Sequence, residues 1–201
     1  MLKIVSSLRI VLFLSLMLIA GAAHAAVDTF INFEPGSGPG APKIDAETQD
    51  SYFKTLNALE VKSVAFGLEN APTIGSKTGG ASAGKASFKE ISIQLTPGQA
   101  TNKLFLACAM GAHFEKSTIF FRKAGGTAAK GESAKPYFTI ELGLVFVKSI
   151  DFAAASGDEG PSVSVVLMCG SAKLEYTAQD SSGKTVGKPS IVSWDQTTNK
   201  Q

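Results

Sequence analysis

An antiparallel β-barrel or β-sandwich with one dependable helix is the fold class the sequence predicts. Seven to nine short runs alternate apolar with polar residues between Gly, Pro and Ser turn signals. A single stretch, Leu104 to Met110, has helical spacing ended by a glycine. Helices do not alternate with strands, which removes a parallel α/β architecture. At 201 residues, 44% hydrophobic and 18% charged, the chain is long enough for one domain with a substantial core and too short to expect two.

The first 25 residues read as a Sec-type signal peptide. Lys3 and Arg9 precede an apolar run, Ile10 to Ile19, and Ala23-His24-Ala25 supplies the small-x-small pattern of a cleavage site between Ala25 and Ala26. The apolar run falls short of the roughly 20 residues that cross a bilayer, so no stable membrane anchor is expected after cleavage. Residues 26–201 form the single expected domain. Removing Lys3 and Arg9 leaves 17 basic against 17 acidic residues, a formal charge of zero. Neither net charge nor any cluster supplies the positive face that nucleic acid requires.

From Ala26 the run AVDTFINF reads as a first strand with one wet face. Glu34 to Pro42 is too rich in proline and glycine for helix or central strand, and residues of about 34–59 are read as a flexible loop with a short helical turn between Asp45 and Ala58. Glu60 to Leu68 alternates as one strand, and about 69–85 is a second flexible loop of Gly, Ser, Thr and Lys. Phe88 to Leu95 returns to strand before Pro97-Gly98 turns into the helix. There Leu104 and Cys108 share a face, and Gly111 ends it. Phe114 to Phe121 suits a half-buried pleated surface, and Arg122-Lys123-Ala124-Gly125-Gly126 closes it as a basic turn where a neighbouring subunit could dock. Tyr137 to Ile150 is a long strand with a bulge or bend near Gly143. Val163 to Tyr176 and a last run through Ile191, Val192 and Trp194 complete the sheet.

Candidate chemistry is sparse. Gly79-x4-Gly84-Lys85 imitates a phosphate-binding loop, but Ala86 replaces the metal-binding hydroxyl and a strand follows where a helix is required. Gly80-Ala81-Ser82-Ala83-Gly84 spells a nucleophile elbow, but no Asp lies between Ser82 and His113, the one histidine of the mature chain. Ser82-x-x-Lys85 follows its Lys77-Thr78-Gly79 triplet in the wrong order and lacks Ser-Asp-Asn. One His and two separated Cys in the mature chain cannot close a zinc site, and Asp158-Glu159 is too sparse for a calcium loop. No catalytic, cofactor-binding or metal residue is therefore assigned. Cys108 and Cys169 allow one disulfide in an oxidising compartment, or two thiols buried as small hydrophobes.

LACAMGAHF followed by IFFRKAGG resembles the haemolysin co-regulated protein (Hcp) family, the tube subunits of bacterial type VI secretion systems. AVDTFINF, EVKSVAFG, GKASFKEISI, YFTIELGLVFVKSI, SVSVVLMCGSAKLEY and SWDQTTNK agree with it in order. The resemblance implies a compact β-barrel of two packed sheets flanked by one helix, assembled as a homo-hexameric ring. It implies rings that stack, a lumen that holds small effector proteins, and an inter-ring loop that would contain Lys77, Gly79 and Gly80. Tube subunits assemble in the cytoplasm and need no export signal, so three readings follow. The first is a non-enzymatic ring-forming protein, periplasmic or secreted through its own signal. The second is a true tube subunit or effector-carrying component. The third is an exported hydrolase using Cys108 or Ser82 with His113.

Overall fold

The computed structural model describes residues 27–36, 41–71, 85–124, 135–158, 160–180 and 184–200. The leader, its expected cleavage site at Ala25 and Ala26, and residues 72–84 of the second loop lie outside them. The described residues form strands β1 (Val27–Pro35), β2 (Leu59–Val61), β3 (Ser63–Ala65), β4 (Leu68–Asn70), β5 (Ala86–Phe88), β6 (Ile91–Leu95), β7 (His113–Lys123), β8 (Phe138–Ala153), β9 (Ser162–Tyr176) and β10 (Ser190–Asp195). Helix α1 spans Ser51–Thr55 and helix α2 spans Gln99–Met110.

Eight strands make one antiparallel sheet in the order β2-β1-β7-β8-β9-β6-β3, with β10 also on β9. Its two ends, β2 and β3, are separated in the chain by Lys62 alone, whose N–H donates to the Gln94 carbonyl (2.9 Å). The sheet therefore closes on itself as a near-barrel. The same geometry explains why Glu60 to Leu68 is not one strand. Its first residues ladder with β1, the next with β6, and Leu68 begins a separate two-stranded ribbon, β4–β5.

One sheet also does the work expected of two, because the β8–β9 hairpin bends. Buried residues of β8 pass from even to odd positions between Leu142 and Val145, and those of β9 pass from odd to even between Cys169 and Ala172. These are paired positions, Leu142 with Ala172 and Val145 with Cys169. The bend expected near Gly143 falls at Leu144, which has φ 51°, and the register shift follows between Val147 and Ser149. Beyond the bend β9 turns from β10 to β6 as its second neighbour. Ile31, Phe33, Ile91, Ile93, Phe114, Ile119, Leu142, Val145, Val165 and Leu167 thus meet in one core.

Helix α2 adds Ala100, Leu104 and Ala107 to that core. It begins one turn earlier than apolar spacing alone suggested, because its first turn is held by polar groups. Thr101 Oγ1 accepts from Gly98 N (3.0 Å), and Glu47 Oε2 accepts from Gln99 N (2.9 Å), placing a carboxylate at the positive end of the helix. At the other end Gly111 is left-handed (φ 62°), with Ala112 N bonded to Ala107 O (3.0 Å) and Gly111 N to Cys108 O (3.2 Å).

Residues 41–58, expected as part of a flexible loop with one short helical turn, hold that turn as α1 and are packed rather than loose. Ile44 and Phe53 are fully buried, and Asn57 pins the segment by accepting from Ala46 N (2.8 Å) and donating to Ile44 O (2.6 Å). Asp50 caps α1 through Tyr52 N (2.9 Å) and Phe53 N (3.1 Å). Phe53 then stacks on Phe30 of β1 (3.8 Å between ring centres) beside Phe120 of β7, forming a second core on the outer side of the sheet.

Candidate interaction surfaces

Cys108 and His113 have different partners. The Cys108 thiol is directed at the Lys148 carbonyl (3.7 Å), while the His113 ring lies against Phe146 (5.4 Å between centres). Cys169 is buried in β9 opposite Val145, and burial pushes its thiol pKa up to about 11, so it is a poor nucleophile at neutral pH. Both cysteines are free, so the possible Cys108–Cys169 disulfide is not formed; of the two thiols only Cys169 is buried, and Cys108 is partly exposed. One stands on a helix and the other inside a strand, each already packed against different neighbours. Ser82 lies outside the described residues, and among those described there is no cluster of His, Cys, Asp and Glu that could hold a metal.

The expected subunit contacts separate. Gly125, Gly126, Lys77, Gly79 and Gly80 lie outside the described residues. Lys123 is exposed at the end of β7, with its ammonium 6.0 Å from the Tyr137 ring centre. Arg122, expected to open the basic turn, is instead an interior strand residue only 9% exposed. Its guanidinium pairs with Asp28 (2.8 Å) and Asp50 (2.7 Å) and lies over the rings of Phe53 (5.0 Å) and Phe30 (5.5 Å). Burial opposes its charge, but the hydrogen bonds it donates to both carboxylates outweigh that and raise its pKa. Its partner Asp50 is likewise penalised by burial yet held below the ordinary value by the Arg122 bond and the Phe53 and Tyr52 amides. Arg122 is thus engaged within its own chain, tying α1 to the sheet. Composition placed it in a turn because Gly125-Gly126 follow; the carboxylates that claim it come from 94 and 72 positions away in sequence.

What the barrel leaves open is a face and an edge. On the outer side, Glu34, Lys116, Gly143, Ser171 and Asp195 form one row across five strands, and Asn32, Thr118, Glu141, Lys173 and Ser193 form the next. Lys116 links Glu34 (3.1 Å) to Glu141 (3.9 Å), and the Glu34 bond, against some burial, raises its pKa. Between these rows lies a depression of about 390 Å³ lined by Gly143 and Ser171, the Ser171 hydroxyl occupying the place where a Gly143 side chain would start. This wall is polar and of mixed charge, and the end of α1 covers only its β1–β7 corner, where Asn32 Nδ2 donates to Leu56 O (3.3 Å) and Thr118 is buried.

The edge is β10. Among the described residues it pairs with β9 alone, and Ile191 and Val192 are 54% and 59% exposed. The charge and the proline that usually blunt an edge strand stand only at its two ends, Asp195 at its last position and Pro189 just before its first, so Ser190 to Trp194 between them is uncharged. Between β10 and the β4–β5 ribbon lies an apolar groove of about 430 Å³ lined by Phe66, Leu68, Phe88, Leu174, Val192 and Trp194. The alternation in the sequence locates these strands but does not show that β10 ends a sheet. Strand order is a long-range property.

Comparison with known proteins points one way. The family described as type VI secretion system effector, Hcp, matches residues 40–182. Protein hcp1 of Pseudomonas aeruginosa is 26% identical over 117 residues, 58% of this chain and 69% of that protein. A solved structure of a type six secretion system protein is similar with a TM-score of 0.72 at 26% identity, covering 87% of this chain and 99% of its own. Hcp1 from Salmonella typhimurium, 22% identical with a TM-score of 0.61 over 87% of this chain and 99% of its own, has the same fold.

Proposed function

From the premise that the chain belongs to the Hcp family of type VI secretion proteins, we propose that it is a ring-forming structural protein exported by its own signal peptide. Members of this family are non-enzymatic, form hexameric rings and are secreted through type VI systems. The observation that carries the reading for this chain is the open edge of β10 at one end of a polar five-strand face. A cyclic ring needs two different surfaces on each subunit, so that each copy presents one to its neighbour on one side and the other to its neighbour on the opposite side. A strand edge without a second neighbour among the described residues, beside an apolar groove, supplies one such surface. The polar rows on Lys116 and Glu141 would then face the lumen, where a wetted, mixed-charge wall suits passage of a folded effector.

Multi-angle light scattering of residues 26–201, with electron microscopy of the same sample, tests the ring. A hexameric mass and annular particles are expected, and a strict monomer at high concentration sinks the proposal. The alternative, a cytoplasmic tube subunit or effector carrier that keeps its amino-terminal segment, is separated by intact mass of the protein from its native host. Ala26 as the first residue removes the alternative, and Met1 removes the export reading.

A further inference from the structure

The strongest unexplained feature is the carboxy-terminal turn, residues 195–200, where β10, the barrel and the β4–β5 ribbon meet. Gln196 Oε1 accepts from Phe88 N (3.0 Å), Gln196 Nε2 donates to Cys169 O (2.8 Å), and its own backbone N–H donates to Gly170 O (3.1 Å). One side-chain amide thus joins a ribbon strand 108 positions away to a barrel strand 27 positions away.

The turn that delivers this amide is itself rigid. Asp195 Oδ1 accepts from Thr197 N (2.7 Å), Thr197 Oγ1 (2.5 Å) and Thr198 N (3.2 Å), and Asp195 N donates to Lys200 O (2.8 Å). Thr197 packs over Gly170, where an added Cβ would lie 3.3 Å from the threonine methyl. The ribbon, by contrast, has little of its own. It has three paired positions, the Lys89 N to Gly67 O bond (2.9 Å), an exposed Lys89–Glu69 ion pair (3.7 Å) and, at its base, the Phe66–Phe88 ring contact (5.9 Å) packed against the barrel core. A two-stranded ribbon of this length is not independently stable.

We propose that Gln196 is the positioning residue of the β4–β5 ribbon. Its amide holds Phe88 at a fixed distance from Cys169, so that the carboxy-terminal turn sets where the ribbon stands on the barrel. The consequence for function rests on the ring reading, in which this ribbon carries the segment that meets the next ring.

Single-amide hydrogen exchange on the mature chain tests it. In Gln196→Ala, exchange at Phe88 is expected to accelerate about tenfold or more while Ile93 and Val165 keep their protection. Retained protection at Phe88 overturns the proposal. So does a parallel loss at Ile93 and Val165, which would make Gln196 a general barrel contact. Gln196→Glu gives a second readout. At pH 7 its carboxylate is repelled by the Cys169 carbonyl, which displaces the side chain from Phe88 N as well, whereas the protonated acid restores a donor to Cys169 O and with it the acceptor position at Phe88 below about pH 4. Phe88 protection, corrected for the intrinsic rate, should recover on acidification in this variant and not in Gln196→Ala; a deficit independent of pH overturns the two-bond clamp. Where rings form, Gln196→Ala should keep ring mass and lower the stacked fraction in sedimentation, and unchanged stacking with Phe88 released overturns the functional consequence. The exchange experiment reads the same positioning whether or not rings form.

Discussion

Arg122 shows how far a single residue's role can depart from its local sequence. Buried between Asp28, Asp50, Phe30 and Phe53, it is the one guanidinium among the described residues, and it binds α1 to the sheet. Removing it leaves two carboxylates facing an apolar cluster. Arg122→Leu should cost about 2–3 kcal/mol in chemical denaturation, less than a fully buried pair because Asp28 is partly in water. Asp50 is held below its ordinary value of 3.8, as is Asp45, whose leading cause is its hydrogen bond to Lys103. A carboxyl depressed in the folded state stabilises it above the unfolded value, and that contribution is lost as pH falls through the folded one. Residues 41–58 should therefore loosen before the barrel as pH falls from about 5 to about 2. Exchange at Phe53 against Ile93 checks this order.

At the scale of elements, α2 is defined by its ends. Gly111 is left-handed, and a Cβ added there would meet nothing within 4 Å, so Gly111→Ala is penalised by backbone strain without a clash. That strain should destabilise the protein by about 1 kcal/mol, measurable as a lowered denaturation midpoint with unchanged slope. The β8–β9 hairpin is defined by its middle. Leu144 and Gly170 face each other there, with the Leu144 Cβ 3.4 Å from the place a Gly170 Cβ would take, and the close approach lets two strands change their inward parity together. Gly170→Val should disrupt this bend and the Thr197 contact at once, lowering the melting temperature by several degrees or more, on the order expected for overpacking of about 1–3 kcal/mol.

For the whole molecule, the sequence by itself determined a mainly-β chain, the helix ended by Gly111, the bend near Gly143, the poverty of catalytic residues and the family. Each of these is written in near neighbours: alternation, a glycine after an apolar face, or motif blocks in order. Only the tertiary structure decided that β2 and β3 close one sheet, that Arg122 is buried beneath α1, that Glu47 caps a distant helix, that the cysteines are unpaired and that β10 is left as an edge. Those outcomes depend on which distant segments share a ladder or a hydrogen bond. Pairing in a barrel is set by the sum of many weak long-range contacts, and no single stretch of chain carries that information.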